Sequence, residues 1–121
     1  MITGGNATIY VSDMDRAVRF YTDTLGLKLQ DRYGDFWAQI DAGGGFALGL
    51  HPTGPKSPKA GTSGSISVGL LVNRSIDQEV EDLSAKGVVF RGPVVSDGPV
   101  KLAFFGDPDG NDLYLCETGQ C

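Results

Sequence analysis

Residues 7–26 read ATIYVSDMDRAVRFYTDTLG, and this stretch decides the fold. Polar and apolar residues alternate up to Val11, which predicts a β-strand with two different faces. Ser12-Asp13 then offers oxygens that can cap a helix, and the apolar residues that follow recur at the spacing of one helix face until Gly26. The stretch therefore predicts a strand followed directly by an amphipathic helix.

The same strand and helix occur a second time. Residues 68–87 read VGLLVNRSIDQEVEDLSAKG; Val72 lies 61 residues after Val11, and Gly87 lies 61 residues after Gly26. Ser75 and Gln78 have the spacing of a capping box at the start of this second helix. An internal repeat of this length indicates two copies of one supersecondary unit. Each helix is followed by three strand-like runs, at 27–33, 36–41 and 46–51 in the first copy and at 88–95, 100–105 and 112–117 in the second.

The segment 52–65 separates the two copies. It contains three prolines, three glycines and no large apolar residue, which is typical of a linker. We therefore expect two βαβββ modules, at about 5–51 and 66–117, within a single domain. The expected fold class is α+β, with the modules forming a curled mixed sheet around a cup-shaped cleft and the helices on the outer face.

Composition limits the classes of function. The chain has 121 residues, of which 40% are hydrophobic, and carries a formal net charge of −5. No apolar run approaches the ~18 residues of a membrane helix and no secretory pattern opens the chain, so we expect a cytoplasmic protein without membrane contact. Without a basic cluster, nucleic acid is not an expected partner. The two cysteines, at positions 116 and 121, are expected to be reduced.

Three motifs resemble those of a known family: the opening Val11–Tyr21, the stop Leu25-Gly26-Leu27 and the hairpin Phe105–Asn111. Together they resemble the vicinal oxygen chelate superfamily, which includes glyoxalase I, extradiol dioxygenases, fosfomycin-modifying enzymes and bleomycin-binding resistance proteins. The resemblance covers essentially the whole chain except the linker. It implies the paired βαβββ fold and a homodimer, but it does not fix the chemistry.

The resemblance also implies where a metal would bind. In the metal-dependent members the first and last strand of each module supply one ligand each, usually His, Glu or Gln. The corresponding positions here are Asn6, Gly49, Ser67 and Tyr114. Glycine has no ligand atom and the other three are neutral, whereas transition metals prefer carboxylates and imidazoles. We therefore expect no metal and no other cofactor.

His51 leaves an alternative open. It is the only histidine and lies two residues after Gly49, on the same face of the strand, while Asp112 has the same relation to Tyr114. His51 and Asp112 could join Asn6 around a shifted cation, or His51 could act as a general base. A solvated histidine at a strand end is the simpler interpretation.

Strand alternation predicts which side chains face the cleft. On the run 36–41, Phe36, Ala38 and Ile40 alternate as core residues would. Of the adjacent Phe104 and Phe105, we expect Phe104 to face the cleft. Aromatic walls with few charges are typical of a site for a small hydrophobic or aromatic molecule, although the same rings could pack on each other or at a dimer interface. The predicted ligand-binding residues are Asn6, Thr8, Tyr10, Trp37, Gln39, Gly49, His51, Ser67, Phe104, Asp112 and Tyr114.

Two functions from different classes remain. The first is a metal-independent binding protein that holds an apolar or planar ligand, for which the acidic charge mildly favours a cation, and sequesters a drug or toxin. The second is a glyoxalase-like or dioxygenase-like enzyme with a rearranged divalent-metal site. We favour the first and assign no catalytic residue. A module that binds a partner protein is a third interpretation.

Overall fold

The computed structural model describes Met1 and residues 5–64 and 66–117. The chain divides into two compact units, Met1–Thr62 and Ser63–Cys121. The first contains β1 (Ala7–Val11), α1 (Met14–Arg19), β2 (Lys28–Tyr33), β3 (Trp37–Asp41) and β4 (Ala47–Pro52). The second contains β5 (Val68–Val72), α2 (Ile76–Ala85), β6 (Val95–Asp97), β7 (Val100–Gly106) and β8 (Asp112–Glu117).

Both units have the same topology. Each forms one four-stranded sheet, in the order β1-β4-β3-β2 in the first and β5-β8-β7-β6 in the second. The first and last strands of each unit are parallel and the other neighbours are antiparallel. The α+β class and the βαβββ repeat predicted from the sequence are confirmed. The strands form two four-stranded mixed sheets, one in each unit.

The first helix begins and ends where its sequence predicts. The Asp13 carboxylate accepts a hydrogen bond from the Arg16 main-chain N–H at 3.0 Å, which caps the helix. A π-helical segment, Phe20–Thr24, continues α1 and carries the fully buried Tyr21. Gly26 then adopts a positive φ of 78°, which glycine tolerates without strain, and the helix ends there.

The second helix is capped differently from the prediction. The Ser75 side chain makes no capping hydrogen bond, so the predicted capping box with Gln78 is wrong. The main-chain N–H of Ile76 donates instead to the carboxylate of Glu117 at 2.6 Å. A carboxylate at the end of β8 therefore satisfies the helix and ties it to the sheet, which no local spacing could reveal.

The helix of each unit covers one face of that unit's sheet. Leu48, Leu50 and Ile40 are fully buried beneath α1, and Phe105 and Leu113 are buried in the α2 unit. We call the opposite face of each sheet its open face. Burial alternates along β1, β3 and the first half of β8 because successive side chains point to opposite faces, so Tyr10, Trp37 and Tyr114 lie on the open faces. No helix among the described residues is long and apolar enough to cross a membrane.

Three further expectations are wrong. Phe36 is 79% exposed in the turn before β3 instead of buried in the core. The run 88–95 is not a strand: Phe90 makes an isolated bridge to Phe105, and pairing resumes only at β6, because Gly92 at φ 105° and the donor-less Pro93 interrupt the ladder. Cys116 is disulfide-bonded, not reduced, and Cys121 lies outside the described residues.

Candidate functional site

The open face of the first sheet carries two rows of predicted site residues. Thr8, Gly49 and Gln39 are cross-strand neighbours on β1, β4 and β3, and Tyr10 pairs with His51 in the next row. The Gln39 amide donates to the Gln30 side chain at 3.0 Å. This part of the face therefore holds neutral polar groups beside aromatic ones.

The outer end of the Trp37 indole lies over Gly49. A Cβ atom placed on Gly49 would stand 2.1 Å from the Trp37 indole, far inside van der Waals contact. Gly49 is itself buried, so the indole takes the space that any side chain at this position would need. The glycine is required because the ring rests directly on the backbone of β4.

His51 completes an aromatic row with Tyr10 and Trp37. The centroid of the His51 ring lies 5.4 Å from the centroid of Tyr10, with the two rings tilted, and 6.4 Å from the centroid of Trp37, in edge-on geometry. In the tautomer assigned by its surroundings, His51 Nδ1–H donates to the Pro52 carbonyl at 2.8 Å, which leaves Nε2 as an acceptor on an exposed ring.

The open face of the second sheet repeats the ring-over-glycine arrangement. A Cβ on Gly69 would stand 2.4 Å from the Tyr114 ring, and Tyr114 packs on Phe104 with centroids 5.8 Å apart. Phe104 is 38% exposed whereas Phe105 is fully buried, so the structure places Phe104 on the open face. Leu71, which is 66% exposed, adds apolar surface to the same face.

Asp112 is a bound carboxylate, not a free ligand group. It accepts hydrogen bonds from the Ser63 hydroxyl at 2.8 and 2.9 Å and from the Gly64 main-chain N–H at 2.9 Å, and it forms an ion pair with Arg91. The Gly64 hydrogen bond, then the Arg91 and Ser63 bonds, hold the pKa of Asp112 below its usual range. Asp112 thereby fastens the end of the linker to the second sheet.

This pKa direction predicts how acid affects stability. A carboxylate whose folded pKa is depressed contributes stability above its unfolded pKa, and that contribution is lost as the pH falls through the folded value. We expect Asp112→Asn to unfold at a lower urea concentration than the unmodified protein at pH 7. This difference between the two urea midpoints should become smaller as the pH falls from about 5 to 3. A difference in urea midpoint that is the same at pH 7 and at about pH 3 would contradict this prediction.

Arg91 is a site residue that the sequence reasoning missed. Its guanidinium lies over Gly106, with Nη2 2.3 Å from where a Cβ would stand, and Gly106 pairs with Asp112 on the open face. Strand alternation could not find it because Arg91 lies outside any strand. The only sequence signal is the glycine beneath it.

Asn6 and Ser67 are exposed and directly precede β1 and β5. Together with Gly49 and Tyr114 they occupy the positions at which the resemblance implies metal ligands, and the residues do not fit such a site. Gly49 offers no ligand atom and Trp37 covers it, while the Tyr114 ring rests on Gly69. No group of three or more His, Cys, Asp or Glu side chains able to hold a metal ion occurs among the described residues.

The family of the chain follows from comparison with known proteins. The model of the Glyoxalase/Bleomycin resistance protein/Dioxygenase superfamily matches residues 5–115. The chain belongs to this superfamily. A curated relative, the uncharacterized protein YurT of Bacillus subtilis (strain 168), is 33% identical over 120 residues, which cover 91% of this chain and 94% of YurT.

Solved structures of this superfamily type superpose on the whole chain. TnmS3, described as an antibiotic binding protein from Streptomyces sp. CB03234, is 28% identical with a TM-score of 0.79, and 98% of each chain is covered. UcmS2 is 26% identical with a TM-score of 0.80, covering 98% of this chain and 99% of the other. The superfamily contains both enzymes and binding proteins by its description, so the function rests on the site residues.

Proposed function

We propose that the protein binds a planar, largely apolar small molecule on the aromatic open faces of its sheets and holds it without a metal, sequestering a drug or toxin. The observation that carries this proposal is the pair of rings whose outer ends lie over strand glycines, Trp37 over Gly49 and Tyr114 over Gly69. A ring lying on the sheet turns the open face into a surface on which another planar group can stack.

The neighbours of these rings support the same ligand chemistry. Tyr10 and His51 extend the first ring surface and Phe104 extends the second. Ligand sites are mostly apolar and aromatic with a few placed polar groups, and stacked or edge-on ring pairs contribute about 0.5–1.5 kcal/mol beyond the area that they bury. Because the rings pack against the strand backbone and against neighbouring rings, less conformational freedom remains to be lost on binding.

The comparisons support a ligand of antibiotic type. TnmS3, which is similar over the whole chain, is described as an antibiotic binding protein. A protein that binds such a molecule tightly lowers its free concentration by mass action, which protects the cell without any chemical step. The net charge of −5 mildly favours a cationic ligand, and salt screens that preference.

Trp37 is the only tryptophan of the chain and supplies the binding assay. We expect the planar cation proflavine to quench Trp37 emission saturably. Tyr10→Ala should weaken that binding about tenfold, since it removes a ring beside Trp37 and His51 on the same open face and the apolar area that the ring provides. Phe36→Ala is the matched control, because Phe36 is an aromatic residue exposed in the β2–β3 turn, and it should leave the affinity unchanged.

Equal losses in the Tyr10 and Phe36 variants would contradict a site on the open face. The competing proposal, an enzyme with a rearranged divalent-metal site, needs Asp112 as a ligand, and that carboxylate is already bonded to Arg91, Ser63 and Gly64. Metal analysis of the purified protein separates the two proposals. A stoichiometric divalent metal that is lost in His51→Ala would favour the enzyme.

Two further properties are proposed on the same footing. We expect a homodimer, as the superfamily resemblance implies, and a cytoplasmic location. Sedimentation velocity tests the first: a single species at twice the chain mass supports it, and a monomer at micromolar concentration contradicts it. Fractionation of the producing cells tests the second.

A further inference from the structure

We propose that Arg91 recognises an oxygen acceptor, a carbonyl or phenolate, at the edge of the aromatic ligand bound on the second open face. This inference rests on the proposed function and adds to it the polar group that the ligand must carry. It assigns a specificity role to a residue outside the strands.

The register places Arg91 beside the ring surface. Gly106 pairs with Asp112, and Phe104 pairs with Tyr114 one row further along the same face. Rows on one face are separated by two residues, or about 7 Å, so a ligand ring stacked on Phe104 and Tyr114 can carry an oxygen that lies within hydrogen-bonding distance of a donor in the next row. The Arg91 guanidinium lies over Gly106, which is one row away from Phe104 and Tyr114. It therefore lies beside the ring surface on which the ligand would stack.

Arg91 is held in that position before any ligand arrives. Nη1 donates to the Asp112 carboxylate, Nη2 donates to the Gly110 carbonyl at 3.3 Å, and the main-chain N–H donates to the Phe104 carbonyl at 2.7 Å. The side chain is nevertheless 44% exposed. A guanidinium that is both anchored and accessible can read a ligand atom without being ordered first.

Counting donors and acceptors gives the chemistry of the ligand group. The Asp112 carboxylate already accepts from Arg91, Ser63 and Gly64. An arginine has five N–H donors, and among the described residues the Arg91 side chain uses two of them. The unused capacity of this cluster is therefore donor capacity, which calls for an acceptor oxygen on the ligand. Because Asp112 offsets the positive charge, a neutral carbonyl is accepted as well as a phenolate.

A matched pair of probes tests this inference. Fluorenone and fluorene have the same three-ring outline and differ in one carbonyl oxygen. We expect the protein to bind fluorenone about five- to tenfold more tightly in equilibrium dialysis, the value of one added hydrogen bond. Arg91→Met should abolish that preference while leaving the affinity for fluorene within about twofold, since the methionine keeps the apolar stem.

A second variant moves the guanidinium without removing it. Gly106→Ala places a Cβ where Nη2 lies, and the flexible end of Arg91 can give way. This variant should also lose the preference for fluorenone while it keeps the charge. A preference that survives in both variants, or an equal loss of both probes, would overturn the role of Arg91 and leave the proposed function standing. If the unmodified protein binds neither fluorenone, fluorene nor proflavine, both proposals fail.

Discussion

Gly49→Ala is expected to destabilise the protein by about 1–3 kcal/mol although it adds only one methyl group. The new Cβ would stand 2.1 Å from the Trp37 indole, so either the ring leaves the sheet or the strand moves. Urea unfolding measures the lost stability. A red shift of Trp37 emission in the folded protein would show that the ring is the part that moves, and proflavine binding should weaken with it.

The chain offers a control and a rescue for this prediction. Gly54 has no heavy atom within 4 Å of an added Cβ, so Gly54→Ala should leave stability nearly unchanged. Trp37→Ala removes the group that Gly49→Ala collides with. The double variant should therefore be more stable than the sum of the single changes predicts, and strict additivity would contradict the contact between ring and glycine.

Gly49, Gly69 and Gly106 follow one rule. Each lies on an open face and each is covered by a planar group, namely an indole, a phenol and a guanidinium. A planar side chain can approach a strand this closely only where the residue below it has no Cβ. The glycine content of these strands is thus part of the ligand surface, whereas glycines such as Gly26, with a positive φ, serve the backbone.

The same rule bears on the loss of the metal positions. Restoring a histidine or glutamate at position 49 alone would meet the Trp37 ring before it met a cation. The first module can therefore regain a metal ligand there only if Trp37 is replaced as well. At this position alone, two coupled changes separate the open face from the metal-dependent arrangement that the resemblance describes, and Asn6 would have to change as well.

The alternation of polar and apolar residues predicted the sheet face to which most strand side chains point. The strand parity that put Ile9 and Leu48 in the core also put Tyr10 and Gly49 on the open face, and the structure agrees. It misplaced Phe36, because the β2–β3 turn extends one residue further than the apolar pattern suggests. Turn length is set by the backbone geometry of the hairpin, to which an apolar residue at its edge gives no clue.

Contacts distant in sequence were the part that could not be predicted. Glu117 caps α2 from 41 residues away, and Asp112 binds Ser63 from 49 residues away. Both contacts depend on which strand of the sheet lies beside which loop, and the spacing of residues within one segment does not predict this. Arg91 belongs to the same class, since an irregular segment with Gly92 and Pro93 has no period from which its direction could be deduced.

Phe105→Ala is expected to have the largest effect on stability, about 3–5 kcal/mol. Phe105 is fully buried between the second sheet and α2, and its ring packs on Phe90 with centroids 5.3 Å apart. Removing it leaves a cavity that the strand backbone cannot close. Thermal and urea unfolding should both show the loss, which is a large part of the 5–15 kcal/mol typical of a domain.

Phe104 is the matched control for Phe105, since the two are adjacent and differ only in the face to which they point. Phe104 is 38% exposed, so Phe104→Ala should cost less than about 1 kcal/mol of stability. Because its ring packs on Tyr114, the same change should weaken the binding of fluorene severalfold in equilibrium dialysis. The two faces of β7 would then have different roles. Phe105, on the face toward α2, stabilises the fold, and Phe104, on the open face, contributes to ligand binding. Equal stability losses at both positions would mean that the open face is a second core, closed to ligands.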